Sequence, residues 1–154
     1  MKSCFTIALV IVVLSCHLNC IAQRAENQRR TKKDLGIYEK SESGRKFSMA
    51  HDTTQVITLD TTSNISFNEI EKFGRYNDSR HKIGTPFFIK LNPEGTKKLA
   101  EMSERNLGGQ IYFVVKDKII AAPVLVRPIT EGKSVLRLPQ TDVIAGLLDY
   151  LGAP

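Results

Sequence analysis

The chain has 154 residues, 25% of them charged, three cysteines and a formal charge of +6. That length accommodates one domain with a single core beyond any leader and leaves too little chain for two. With three cysteines, two of them within five residues of each other, there is no framework for a disulfide-stapled miniature fold.

The N-terminus reads as an export signal in three parts. Lys2 supplies a positive start, Phe5 to Leu14 is apolar except for Thr6, and small residues follow. Such a run is shorter than the roughly 20 residues needed to cross a hydrocarbon core, and its flanks suit a cleaved signal. Two processing chemistries fit. In the favoured one, cleavage falls between Ala22 and Gln23, after polar His17 and Asn19, and removes Cys4, Cys16 and Cys20 together. In the alternative, Val13-Leu14-Ser15-Cys16 acts as a lipobox, and Cys16 becomes a lipidated first residue that anchors the chain. Either way the mature fold relies on hydrophobic burial rather than disulfides. No later segment is long and apolar enough to span a membrane.

The basic excess is concentrated next. Gln23 to Ser48 holds eight Lys or Arg against four Asp or Glu, whereas Met49 onward is close to balance. A nucleic-acid binder would carry its basic face on the folded body, so no nucleic acid is expected as a partner. Residues 23–54 are polar and poor in aliphatics, and are expected to be a disordered linker ahead of a domain over 55–154.

Within that domain, Gln55 to Asp60 reads as a short strand. Ser66 and Glu69 have capping-box spacing, which predicts a helix to about Phe73. Gly74 to Gly84 is a polar loop. Pro86 to Leu91 is a strand with Phe87, Ile89 and Leu91 on one face. Asn92, Pro93 and Glu94 then form a strong helix start, and Leu99, Met102, Asn106 and Leu107 follow its spacing to the Gly108-Gly109 stop. Ile111 to Val115 is apolar throughout, as in a covered central strand. Asp117-Lys118 turns the chain into Ile119 to Val126, where Pro123 implies an edge or a bulge. Ser134 to Leu138 is a further strand. Thr141 caps a last helix with Val143, Ile144, Leu147, Leu148 and Leu151 as its apolar stripe. The class is α+β, with helices packed on one face of a mixed or antiparallel sheet, in the order β-α-β-α-β-β-β-α.

Chemistry is harder to find. His51 and His81 have no cysteine or second histidine at ligand spacing, so no metal or other cofactor is implied. No nucleophile elbow, phosphate-binding glycine loop or H-E-x-x-H occurs. Glu94, Glu101 and Glu104 lie along a solvated helix face with basic neighbours. Asp78 and His81 are the residues around which a scattered enzyme site would have to be built. Asn64-Ile65-Ser66 and Asn77-Asp78-Ser79 match glycosylation sequons, which matter only in a eukaryotic source.

The run Leu91-Asn92-Pro93-Glu94-Gly95 resembles the SecD part of the SecD/SecF protein-export family, in the head subdomain of its first periplasmic domain. The resemblance continues through Glu104-Arg105-Asn106-Leu107-Gly108, Lys118 to Val124, and Ile129-Thr130-Glu131-Gly132, and covers about Phe67 to Leu151. It departs at Lys116-Asp117, where that family has Asp-Gly, and near Arg137, where a glycine is expected. The resemblance implies a stand-alone head without SecD's membrane helices, hence no proton-driven motor. It further implies a non-enzymatic, exported or periplasmic module contacting polypeptide or an envelope protein, with Ala121, Ala122 and Pro123 as the expected contact surface. The alternatives are a small secreted enzyme and a structural envelope lipoprotein.

Overall fold

The computed structural model describes residues 35–62, 64–75 and 84–152. Seven strands and two helices follow one another: β1 (Leu35–Met49), β2 (Val56–Leu59), β3 (Ile70–Arg75), β4 (Thr85–Leu91), α1 (Pro93–Arg105), β5 (Ile111–Val115), β6 (Lys118–Ala121), β7 (Lys133–Leu138) and α2 (Asp142–Tyr150). They make a four-stranded sheet ordered β2-β1-β5-β6 and a three-stranded antiparallel sheet ordered β3-β4-β7. The α+β class stands, and the expected element order is present with a single 3-10 turn (Phe67–Glu69) as its first helix. Two strands, β1 and β3, are added to it.

Of residues 23–54, expected as a disordered linker, 23–34 lie outside the described residues, and Leu35–Met49 forms the strand β1 instead. Its first half pairs with β5 from Leu35 opposite Val115 to Glu39 opposite Ile111. Its second half pairs with β2, with the register broken between Lys40 and Arg45. Its end meets β6 in parallel at Ser48 and Met49. Gly44 sits in the break against the Leu59 carbonyl, in a space no side chain could share. Leu35, Ile37, Phe47 and Met49 are buried, while Lys40 and the run Glu42 to Lys46 are exposed. That exposed middle gave the segment its disordered composition.

The predicted helix from Ser66 to Phe73 is the second correction. The capping box forms as expected: Ser66 Oγ accepts from the Asn68 N–H, and the Glu69 carboxylate accepts from the Ser66 N–H at 2.8 Å. After one turn the chain leaves as β3, because pairing with β4 places Phe73 opposite Ile89 and packs it near Phe67 and Phe87. Local capping started the turn, and tertiary packing ended it.

A main core joins the inner face of β4 (Phe87, Ile89, Leu91), Leu99 and Met102 of α1, Ile144, Leu147 and Leu148 of α2, and Ile111, Phe113 and Val115 of β5. The intervening β5 residues, Tyr112 and Val114, belong to a second cluster with Phe47, Met49, Leu59 and Ile119. The strand β5 is therefore covered on both faces, which explains its uninterrupted apolar run. Two expected stripe positions miss: Leu107 lies beyond α1 and is 49% exposed, and Val143 is 51% exposed. The Lys116-Asp117 turn takes positive φ at both residues, 48° and 62°, a geometry that normally selects Asn-Gly. Arg45 holds the Asp117 carboxylate at 2.9 Å, and the Lys116 ammonium lies 4.4 Å from the Tyr150 ring centroid.

Candidate functional site

The segment bearing the Asn92-Pro93-Glu94-Gly95 motif is a structural knot. Asn92 caps α1, its side-chain oxygen accepting from the Gly95 N–H at 2.8 Å. The Asn92 backbone N–H donates to the Glu69 carbonyl, and its side-chain amide donates to the Asn68 carbonyl. The 3-10 turn thus lies directly on the start of α1. A side chain at Gly95 would meet Glu69 Cβ at 2.7 Å and the Glu69 carbonyl oxygen at 2.9 Å, so only glycine fits there. Lys98 reaches back to Glu69 at 2.7 Å and to Glu94 at 3.2 Å. Burial raises the Glu69 pKa, but the Lys98 and Ser66 hydrogen bonds outweigh it and hold the carboxyl below its ordinary value. The same Glu69 contact, joined by Glu94, pushes Lys98 up. Both groups are locked in their charged forms, which suits a strut and not an acid or base poised near neutrality.

Across the molecule, Ala121 ends β6 and Ala122 and Pro123 begin the loop 122–132. All three are half-buried. They border a cavity of about 430 Å³ shared with Met49, His51, Gln110 and Pro139. On the other side of Pro123, between the loop and β7, a second cavity of about 370 Å³ is lined by Phe113, Leu125, Ile129, Ser134 and Leu136. Val135 borders both. The rim is mixed: Val124, Val126 and Val135 are 57%, 89% and 51% exposed, alongside exposed Arg127, Glu131, Lys133 and Arg137. Pro123 marks the end of the ladder as its lack of a donor requires, with Val124 making an isolated bridge to Gln110.

The loop is held from α1 and its exit. The Gly108 N–H donates to the Leu125 carbonyl at 2.8 Å and the Leu125 N–H to the Gly109 carbonyl at 2.9 Å. Gln110 Nε2 donates to the Ala122 carbonyl at 2.9 Å. Ser103, fully buried in α1, accepts from the Ile129 N–H at 2.8 Å and donates to the Ala100 carbonyl. The Leu91 N–H donates to the Gly132 carbonyl, and Gly132, at φ 62°, packs on Thr96 where no side chain fits. The matching motifs around Gly95, Gly108 and Gly132 are thus the fastenings of one loop and one helix. Ser103 was missed from sequence; its signal was a hydroxyl one turn after Leu99 on the buried face of the helix. The Ser134 hydroxyl, lining the second cavity, is buried without a hydrogen-bond partner.

Among the described residues no three His, Cys, Asp or Glu side chains are grouped to hold a metal ion. Burial raises the Tyr112 hydroxyl pKa, away from use as a base, and Thr54 hydrogen bonds lower that of Asp52 on an exposed turn. Asp78 and His81, and likewise Cys16, Ala22 and Gln23, lie outside the described residues. Among the described residues no helix is long and apolar enough to cross a membrane.

A curated SecD subunit of protein translocase from Dictyoglomus turgidum is 39% identical over 56 residues, 36% of this chain and 14% of that protein. The SecD subunit from Acidaminococcus fermentans is 37% identical over 46 residues, 30% of this chain and 11% of that protein. The fold repeats the likeness. A solved structure described as "Structure and function of a membrane component SecDF that enhances protein export" superposes with TM-score 0.60 at 16% identity, covering 84% of this chain and 66% of that one. The chain is SecD-like.

A second solved structure, SecDF in its super-membrane-facing form, superposes with TM-score 0.60 at 17% identity over 84% of this chain and 20% of that one. At those identities the superpositions establish the fold alone. No protein-family model matches the chain. The SecD-like chain spans only a small part of its curated relatives' length. The departures seen from sequence have structural counterparts: Lys116-Asp117 keeps the turn geometry without glycine, and Arg137 continues β7 opposite Pro86.

Proposed function

We propose that this SecD-like chain is a non-enzymatic, exported module of the protein-export apparatus that holds extended polypeptide in the groove on either side of Pro123. The supporting observation is the groove itself: two cavities meeting at Pro123 and Val135, with exposed valines among charged residues at the rim, fastened by hydrogen bonds from α1 and its exit. Concave apolar surface with a few backbone and side-chain polar groups suits a chain segment offered one or two side chains at a time. Preformed walls avoid the ordering cost of building the site on binding. The residues carrying contact are Ala121, Ala122 and Pro123, with Val124, Val126 and Val135 around them.

Delivery rests on the N-terminal signal, cleaved between Ala22 and Gln23, or on lipidation of Cys16 as the anchored alternative. The intact mass of the mature protein separates these: a start at Gln23 excludes the lipid. Binding is tested by titrating a fluorescently labelled, permanently unfolded polypeptide with the purified protein. Saturable binding at micromolar protein, lost in Val124→Asp/Val126→Asp, supports the proposal. No binding at such concentrations, or equal binding by that variant, contradicts it.

A further inference from the structure

The outer face of the three-stranded sheet carries an arrangement that costs the fold stability. Lys72 of β3 lies directly opposite Lys90 of β4, and Lys90 lies directly opposite Lys133 of β7. Directly opposed residues share a face with their Cβ atoms about 5 Å apart, and like charges so placed repel. All three lysines are exposed. Lys90 pairs with Glu71 at 2.6 Å. Among the described residues neither Lys72 nor Lys133 pairs with a carboxylate; the Lys72 ammonium instead lies 6.0 Å from the Phe88 ring centroid. The adjoining row runs Gly74, Phe88 and Val135 across the same three strands. An apolar strip therefore lies beside a basic one on the same sheet face.

From this we infer that the outer face of the β3-β4-β7 sheet docks on an anionic phospholipid surface, with Lys72, Lys90 and Lys133 among the headgroups and Phe88 and Val135 against the interface. Three features favour a bilayer over a protein partner. The row's cations are lysines, compact charges on flexible stems, and the arginine of this face, Arg137, stands apart from them opposite Pro86. The lysines come from three adjacent strands in register, so their charges lie side by side along one sheet face. Long lysine stems lie along apolar surface while their heads stay among charged groups. Lys133 and Val135 also line the groove, so a domain lying on this face holds the groove at the membrane surface. Lys133 and Val135 are shared with the groove, but the inference is carried by the lysine row, and its vesicle assay contains no polypeptide.

The test compares protein purified from the cell envelope with its Lys72→Gln/Lys90→Gln/Lys133→Gln variant. Co-sedimentation is measured with phosphatidylglycerol vesicles and with pure phosphatidylcholine vesicles. Each lysine near an anionic surface contributes about a fivefold factor, so the variant loses about a hundredfold in partitioning onto phosphatidylglycerol. Wild-type binding falls steeply as salt rises, because the interaction is screened. The same variant unfolds at equal or higher urea than wild type, since the repulsion is relieved, which separates lost docking from lost folding. Equal partitioning of the two proteins onto phosphatidylglycerol overturns the inference, as does equal wild-type binding to both vesicle types. Binding to soluble polyglutamate through these lysines with no binding to vesicles also overturns it, in favour of an acidic protein partner.

Discussion

Gly95→Ala sets two effects of opposite sign against each other. In an exposed helix the exchange stabilises by at most about 1 kcal/mol, because alanine has less backbone freedom to lose. At position 95 the new methyl would stand 2.7 Å from Glu69 Cβ, 2.9 Å from the Glu69 carbonyl oxygen and 3.2 Å from Leu91 Cβ. The carbonyl is not free to retreat, since it accepts the Asn92 N–H at 2.9 Å, and Glu69 is tied to Lys98 and Ser66. Overpacking of this kind costs about 1–3 kcal/mol. A net loss of about 1 kcal/mol is expected, in which crowding outweighs propensity. Gly146 of α2 is the internal control, because a methyl there meets nothing within 4 Å. Gly146→Ala should stabilise by up to about 1 kcal/mol. Urea unfolding of both variants, with the slope checked for constancy, reads the two shifts. A stabilised Gly95→Ala would show that the 3-10 turn does not rest on α1 as described.

Other expectations follow from single contacts. Ser103→Ala leaves the Ile129 N–H without its acceptor; it should cost about 1–3 kcal/mol and weaken polypeptide binding by loosening the loop, read by urea unfolding and titration. Replacing Lys116 and Asp117 by Asn and Gly relieves two positive-φ residues and should raise stability by about 1 kcal/mol net of the lost Arg45 contact. Glu69 has a folded pKa below its ordinary 4.5, so its contribution is present above that value and disappears as pH falls through the lowered one. Glu69→Gln should therefore lower stability at neutral pH and flatten the acid limb of the stability–pH curve, measured by thermal unfolding across that range.

The parts legible in the sequence are those with strong local chemistry. Asn92, Pro93 and the Gly108-Gly109 stop delimited α1, and the apolar run at Ile111 to Val115 declared a covered strand. The misses have a common cause in long-range pairing. Along β1, buried Leu35 and Ile37 are separated from buried Phe47 and Met49 by an exposed polar middle, so no short window shows a periodicity. The capping box at Ser66 is real, yet it says nothing of how far the helix continues; pairing of β3 with β4 decides that. For the groove, Pro123 betrayed a strand end and led to Ala121 and Ala122. The opposing wall, Phe113, Ile129, Ser134 and Leu136, comes from distant elements that no local pattern connects.

The central claim, that the groove beside Pro123 holds polypeptide, is tested most directly by hydrogen exchange on the protein with and without saturating unfolded client. Amides of the loop 122–132 and of β7 should slow on binding, with little change along β2. Protection elsewhere with none at the loop or β7 would contradict it.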